Sequence, residues 1–358
     1  MAMNQNAISQ KPAHKLTTAM KVSLFNAALL LLFWMLTHVV AERTRLTTIL
    51  TYAPQLPWLL PTFGLLLFTL WRARKTRNWR VPFFNGAVLL SAVVFVLGFN
   101  VPFRSVFTPA NATSNTRSAA ASAPKLRVMT FNIELGSKGV ENIARAIDTQ
   151  NPDVICLQET LGYGVLPDPI PLLQSRLREW PHMARTNEVT TFSRFPIVSW
   201  RRFQMPASSS RAILETVLDV RGTRFTVFNA HIGMEPADAN DKAWLDSQPR
   251  FLRFGGSTRT RTVQAQVVLD SVRDTKTPFI VCGDFNIPPR GRVYQMLSRE
   301  LSDSFRVVGW GCGHSFPASS PLLKIDYIWT NPQVRVLDAF VPNVRASDHR
   351  PYVADLSF

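Results

Sequence analysis

The sequence reads as an α/β protein, with packed sheets flanked by outer helices and preceded by three transmembrane helices. Three observations predict this. Long uncharged apolar runs are confined to the first hundred of the 358 residues. Beyond residue 124, short β-rich runs alternate with stretches of helical periodicity, and the strands outnumber the helices. Charge shifts at the same boundary: residues 1–104 hold eleven Lys/Arg and one acid, Glu42, whereas residues 105–358 hold 29 basic and 23 acidic residues. A 46% apolar, 18% charged chain with mean hydropathy +0.03 is not disordered. Three cysteines exclude a disulfide scaffold. The net charge of +16 is a weak hint of nucleic acid, because much of it clusters beside the apolar runs.

The apolar runs cover residues 22–40, 46–71 and 81–99, and none contains Asp, Glu, Lys or Arg. Each is close to the ~20 residues that a helix needs to cross a bilayer's hydrocarbon core. Pro54, Pro57 and Pro61 make the second run irregular. Lys11, Lys15 and Lys21 precede the first run, and Arg72, Arg74, Lys75, Arg77 and Arg80 follow the second. Basic flanks stay cytoplasmic, so three crossings place everything after Phe99 on the outer side. Residues 1–103 are thus expected to form a membrane domain, an integral, multi-pass anchor in the plasma or inner membrane. The Ser/Thr/Ala/Asn-rich residues 104–124 read as a flexible linker. Residues 125–358 are long enough for one sizeable core.

In that half, Leu126–Phe131 is β-rich, and Val140, Ile143, Ala144 and Ile147 fall at helical spacing before Asn151-Pro152 ends the helix. Residues 153–157, 212–220, 224–232, 278–282, 325–329, 334–340 and 352–356 read as strands. Residues 259–274 read as a helix through Ala265, Val268, Leu269 and Val272. Cys156 and Cys282 fall in buried-looking strands and Cys312 in a loop.

Most of these strands end on residues that are costly to bury without a partner: Asn132, Gln158-Glu159, Asn229 with His231, Asp284 with Asn286, Asp326, and Asp348-His349. Each alone has an ordinary explanation as a turn former, cap or surface group. Together, at one rim of a sheet, they can share a pocket. Glu159 and Asp348, with Asn132 as a neutral oxygen, suit Mg²⁺ or a similar hard cation such as Mn²⁺. No cysteine or histidine cluster has zinc spacing. His231 and His349 can donate hydrogen bonds to a phosphoryl group. Asp326 can orient His349. Asp284 can take a proton from water, with Asn286 holding that water or the phosphate in line. The implied reaction is metal-assisted hydrolysis of a phosphoester.

The set TFN (130–132), LQET (157–160), NAHI (229–232), GDFN (283–286), IDYIW (325–329) and SDHRP (347–351) resembles the endonuclease/exonuclease/phosphatase superfamily. This is the fold of DNase I, abasic-site endonucleases, inositol polyphosphate 5-phosphatases and neutral sphingomyelinases. The motifs occur in the family's order across nearly all of residues 125–358. The resemblance implies a four-layered α/β sandwich of two packed mixed sheets flanked by helices. It implies metal binding at Glu159 with Asn132 and Asp348 close by, Asp284 and Asn286 as the nucleophile-orienting pair, and His231 and the His349–Asp326 pair at the phosphate. His231 stands where the abasic-site repair branch usually has a different pattern, so DNA repair is not expected.

A catalytic domain held at a bilayer meets lipid head groups at high local concentration. Residues 234–257 form an insert that mixes Trp244, Phe251, Leu252 and Phe254 with Arg250 and Arg253, which suits an interfacial contact. A second irregular loop spans Trp310–Pro321. The expected partners are therefore the bilayer and a phosphorylated lipid or other phosphoester, with nucleic acid less favoured. The alternatives are a membrane-anchored extracellular nuclease and an inactive binding module.

Overall fold

The computed structural model describes residues 16–101, 124–162, 166–206, 211–233, 235–236, 239–247 and 258–358. Residues 104–123 of the expected linker, and most of the 234–257 insert, lie outside that set. Helix α1, Thr18–Met35, starts where the Thr17 hydroxyl accepts from the Met20 amide, and continues through a π-helical turn at Leu36–Val40. Helix α2, Arg45–Tyr52, opens on a reciprocal Thr44–Thr47 cap and stops at Ala53, whose extended conformation fits the residue before Pro54. Helix α3, Leu60–Thr76, and helix α4, Arg80–Phe95, form an antiparallel hairpin through Arg77.

The membrane expectation needs correction here. The 46–71 run is not one span, because the prolines split it into α2 and α3. Two segments, Thr18–Arg43 and Leu56–Thr76, have the length and apolar composition to cross a membrane. The third run yields α4, only 16 residues long, because the chain leaves the helix after Phe95. These helices are arranged inside out. Phe25, Leu31, Leu60, Phe83 and Leu90 are exposed, whereas Ser23, Asn26, Thr62, Thr69 and Asn85 are buried. Asn26 Nδ2 donates to Thr62 Oγ1 at 2.8 Å, and Asn85 Nδ2 to Thr69 Oγ1 at 3.1 Å.

Residues 125–358 fold as two six-stranded sheets. The first has the order β11-β12-β1-β2-β4-β3. Its strands are β1 Lys125–Asn132, β2 Val154–Gln158, β3 His182–Arg185, β4 Val189–Ser193, β11 Arg335–Phe340 and β12 Tyr352–Ser357. The second has the order β5-β6-β7-β8-β10-β9. Its strands are β5 Ile197–Gln204, β6 Ala212–Val220, β7 Thr223–His231, β8 Phe279–Asp284, β9 Ser302–Asp303 and β10 Asp326–Thr330. Each sheet has one parallel pair, β1 with β2 and β7 with β8, among antiparallel neighbours. A parallel pair needs a crossover. Helix α5, Val140–Gln150, makes the first; helices α7, Ala239–Ser247, and α8, Thr258–Val272, lie in the second. Helices α6, Ile170–Arg176, α9, Gly291–Glu300, and α10, Ser304–Val308, complete the set.

Alternation along the strands builds the layers. Leu126 and Val128 point into a core between the sheets with Val227, Ile280, Cys282 and Ile328. Met129 and Phe131 point the other way, onto Ile143 and Ile147 of α5. The second sheet's outer face packs Phe228, Val281 and Trp329 on Ala265, Val268 and Leu297. Helix, sheet, sheet, helix is the expected four-layered sandwich. In residues 125–358 the strand and helix expectations hold to within about two residues, while β3, β4, β5, β9, α6, α7, α9 and α10 are additional. Cys156 and Cys282 are buried free thiols in the inter-sheet core.

Candidate active site

Strand register gathers the polar ends. Asn132 pairs with Gln158 at the last step of β1/β2, which places Glu159 immediately beyond. In the other sheet Asp284 is level with His231 on one side and Asp326 on the other. Side chains that the sequence spaces up to 217 positions apart therefore meet at one rim, outside the carboxyl ends of both parallel pairs. Gly283 permits the β7/β8 approach: it has φ +143°, and an added Cβ would lie 1.7 Å from the Ala230 carbonyl oxygen. Glu159 and Asn286 both adopt positive φ, 55° and 50°, a conformation that non-glycine residues rarely take and that clusters at functional sites.

Asp284 is the hub. Its Oδ2 accepts from Asn132 Nδ2 at 3.1 Å and faces His231 Nε2 at 3.6 Å and His349 Nε2 at 3.7 Å. Both imidazole distances exceed a good hydrogen bond, so each Nε2 remains open to a ligand. Burial pushes the Asp284 carboxyl up, and the Asp326 charge adds to this against the opposing pull of the two histidines. His349 Nδ1 lies 2.9 Å from Asp326 Oδ2. Burial alone would lower the His349 pKa, but Asp326 and then Asp284 outweigh it and raise the value to about 10. Asn286 donates to the Ile232 carbonyl at 2.9 Å and lies 3.5 Å from His231 Nε2.

A second cluster of carboxylates adjoins the hub. Asn132 Nδ2 also donates to Glu159 Oε1 at 3.0 Å, and Asn132 Oδ1 accepts from the Glu134 amide at 3.0 Å. Glu134 Oε2 in turn accepts the Asp348 amide at 3.2 Å. Burial raises the Asp348 carboxyl, and repulsion from Glu134 and Glu159 raises it further despite His349. Among the described residues, no ion pair with Lys or Arg neutralises Glu134, Glu159 or Asp348. Crowded, half-buried carboxylates without a basic partner fit a hard divalent cation. Glu159, Asp348 and Asn132 are thus suited to hold one, with Glu134 beside them. Asp284, Asp326 and His349 also present ligand atoms within 4.8 Å of one another.

All eight expected site residues therefore lie in this one region. Several neighbours were not expected. Glu188 forms an ion pair with His231 Nδ1 and receives Arg211 Nη1 at 3.1 Å. Arg211 flanks the apolar strand Ala212–Val220, so the strand-end rule applies to it as well, whereas Glu188 precedes Val189–Ser193, a buried strand with three hydroxyl residues. From the Trp310–Pro321 loop, Ser315 Oγ donates to Asp326 Oδ2 at 2.5 Å, and Phe316 packs against the His349 ring with centroids 4.8 Å apart.

Residues 129–349 match the Endonuclease/Exonuclease/phosphatase family, which is more than half of the chain. The chain belongs to the endonuclease/exonuclease/phosphatase family. Its members hydrolyse phosphoester bonds, and this chain is a hydrolase of that class. Solved family structures share the fold. One is an endonuclease/exonuclease/phosphatase from Beutenbergia cavernae, with TM-score 0.53, 23% identity, and coverage of 66% of this chain and 72% of that one. Another is a Bacteroides thetaiotaomicron mannosyl-6-phosphatase, with TM-score 0.52, 18% identity, and coverage of 65% and 100%. A humanized D. rerio TDP2 gives TM-score 0.51 at 16% identity, with coverage of 65% and 99%. No curated protein matches the sequence.

Proposed function

We propose that this family member is a divalent-metal-dependent phosphoester hydrolase anchored in a membrane, with its catalytic domain on the outer side and a phospholipid or lipid-linked phosphate as substrate. The observation that carries the chemistry is Asp284 Oδ2, poised between the Nε2 atoms of His231 and His349.

In the reaction we assign, a water oxygen bonds to phosphorus while the bond to the leaving oxygen breaks. Asp284, with a raised pKa, takes the water proton. His349, held as a cation by Asp326 and Asp284, donates to a non-bridging phosphoryl oxygen as charge grows there. His231, oriented by Glu188, supplies the proton to the leaving oxygen. The Asn286 amide positions the attacking water. A divalent ion held by Glu159, Asp348 and Asn132 would neutralise phosphoryl charge.

The membrane half of the reading is supported by the inside-out helices. Thr17, Arg72, Thr76, Asn78 and Val81 line one cleft, so the basic ends of α1, α3 and α4 lie together. The catalytic domain docks at the opposite end, on Glu42, Thr51 and Asn100. With basic flanks inside, α1 and α3 would cross the bilayer and the shorter α4, 16 residues long, would carry the chain back across, placing the catalytic domain outside.

The test is a panel of lipid phosphates, sphingomyelin, inositol phosphates and DNA, offered to the purified full chain with and without Mg²⁺. The reading expects Mg²⁺-dependent cleavage of a phosphorylated lipid. Efficient DNA cleavage without any lipid cleavage would replace it with a tethered nuclease.

A further inference from the structure

The helical segment and the catalytic domain exchange helix caps. The guanidinium of Arg290, itself buried, donates from Nε to the Thr51 carbonyl at 2.7 Å and from Nη2 to the Ala53 carbonyl at 3.2 Å. Thr51 lies in the last turn of α2, where carbonyls lack intrahelical donors and carry the negative end of the helix dipole, while Ala53 caps the helix in an extended conformation and also accepts from Gln55 Nε2 at 2.7 Å. In return, the amide of Arg292 in the first turn of α9 donates to Glu42 Oε2 at 2.6 Å. Glu42 is the sole acid among residues 1–104, and it is buried. At Gly291, φ is +85° and a Cβ would lie 2.3 Å from Glu42 Oε1, so a side chain there would strain the backbone and collide with this contact. The Arg261 guanidinium stacks over the Tyr52 ring at 4.4 Å on the same interface.

Only three residues, Ile287, Pro288 and Pro289, separate this clasp from Asn286. They are stiff. The prolines fix their own φ, the Arg290 amide donates to the Pro288 carbonyl at 2.7 Å, and Tyr327 Oη donates to the Ile287 carbonyl at 2.9 Å. Asn286 holds its positive φ at the far end of this strut, beside His231.

We propose that Arg290 is a positioning residue: anchored on the carbonyls of α2, it holds Asn286 in place, so the helical segment completes the active-site loop as well as tethering it. This rests on the hydrolase reading above. The test uses the full chain in lipid nanodiscs, with R290M, R290K and E42Q. Against the phosphoester that the wild type cleaves best, R290M should lower kcat at least tenfold with KM changed less than threefold. R290K, which keeps the charge, should recover part of kcat, and E42Q, which keeps an acceptor oxygen but removes the charge from the reciprocal cap, should reproduce part of the loss. Hydrogen exchange supplies the readout independent of turnover. In R290M, the amides of Asn286, Ile287, Arg290, Gly291 and Arg292 should exchange at least tenfold faster while Val154–Gln158 stays protected. If the wild type cleaves none of the substrates, this exchange contrast alone decides the proposal. If R290M loses protection throughout and so fails to fold, R290K decides by the same two readouts. Wild-type kcat and wild-type exchange in a folded R290M, or in R290K when R290M does not fold, would overturn the proposal.

Discussion

His349 Nδ1 lies 2.9 Å from Asp326 Oδ2, while its Nε2 faces Asp284 Oδ2 at 3.7 Å. The ring is thus held between two carboxylates that favour its charged form and raise its pKa to about 10. Removing the Asp326 charge lowers that value toward the ordinary 6.5. D326N should reduce kcat by on the order of 10²-fold. It should also move the basic limb of the pH–rate profile to lower pH, because the imidazolium is lost earlier as pH rises. An unshifted limb in D326N would show that His349 is not the group being titrated.

Glu188 pairs with His231 Nδ1 as Asp326 pairs with His349 Nδ1, fixing the orientation of the ring. It also receives Arg211, whose guanidinium burial would lower but whose two glutamates raise. E188A should cost about 10–100-fold in kcat, with KM little changed. Steady-state kinetics on a soluble phosphodiester would show this; a pure KM effect would place Glu188 in substrate binding instead.

Gly283 lies where β7 and β8 come closest. Any Cβ there meets the Ala230 carbonyl at 1.7 Å, in a conformation that alanine avoids. G283A should destabilise the domain by at least about 2 kcal/mol, lowering Tm by roughly 5 °C or more. It should also lower activity, since the pairing of His231 with Asp284 depends on this register. Thermal unfolding of the solubilised chain checks the first expectation, and wild-type Tm would contradict it.

Asn78 sits in the basic turn between α3 and α4, at the end remote from the catalytic domain. In a C312S background, which leaves only the buried Cys156 and Cys282, N78C should react with an impermeant maleimide only after the cells are opened. A cysteine placed on the catalytic surface at Ser199 should react in intact cells. The reverse pattern would invert the topology.

Much of this architecture was legible in residue pattern alone, because period-two alternation and strand-end polar residues are local signals. The strands carrying Asn132, His231, Asp284 and Asp326 were found that way, within two residues of their observed ends. Strand β4 escaped because Val189–Ser193 is buried on both faces and shows no alternation, and Glu188 escaped with it. Helix α2 was absorbed into a neighbouring apolar run. Its separation depends on Pro54 and on the partners that Thr51 and Ala53 find in Arg290, 237 to 239 positions away. Caps exchanged over such distances leave no periodic trace, so the docking of the two parts required the folded chain.

The central claim is that Glu159, Asn132 and Asp348 hold a divalent ion beside the Asp284–His231–His349 group and that turnover depends on it. The most direct measurement is the initial rate of cleavage of a chromogenic phosphodiester by the purified full chain, titrated with Mg²⁺ after chelation, for the wild type and E159Q. We expect a saturable rise from near zero in the wild type and, in E159Q, a rate lower by at least about 10²-fold. A rate indifferent to chelation, or E159Q turning over like the wild type, would contradict the account.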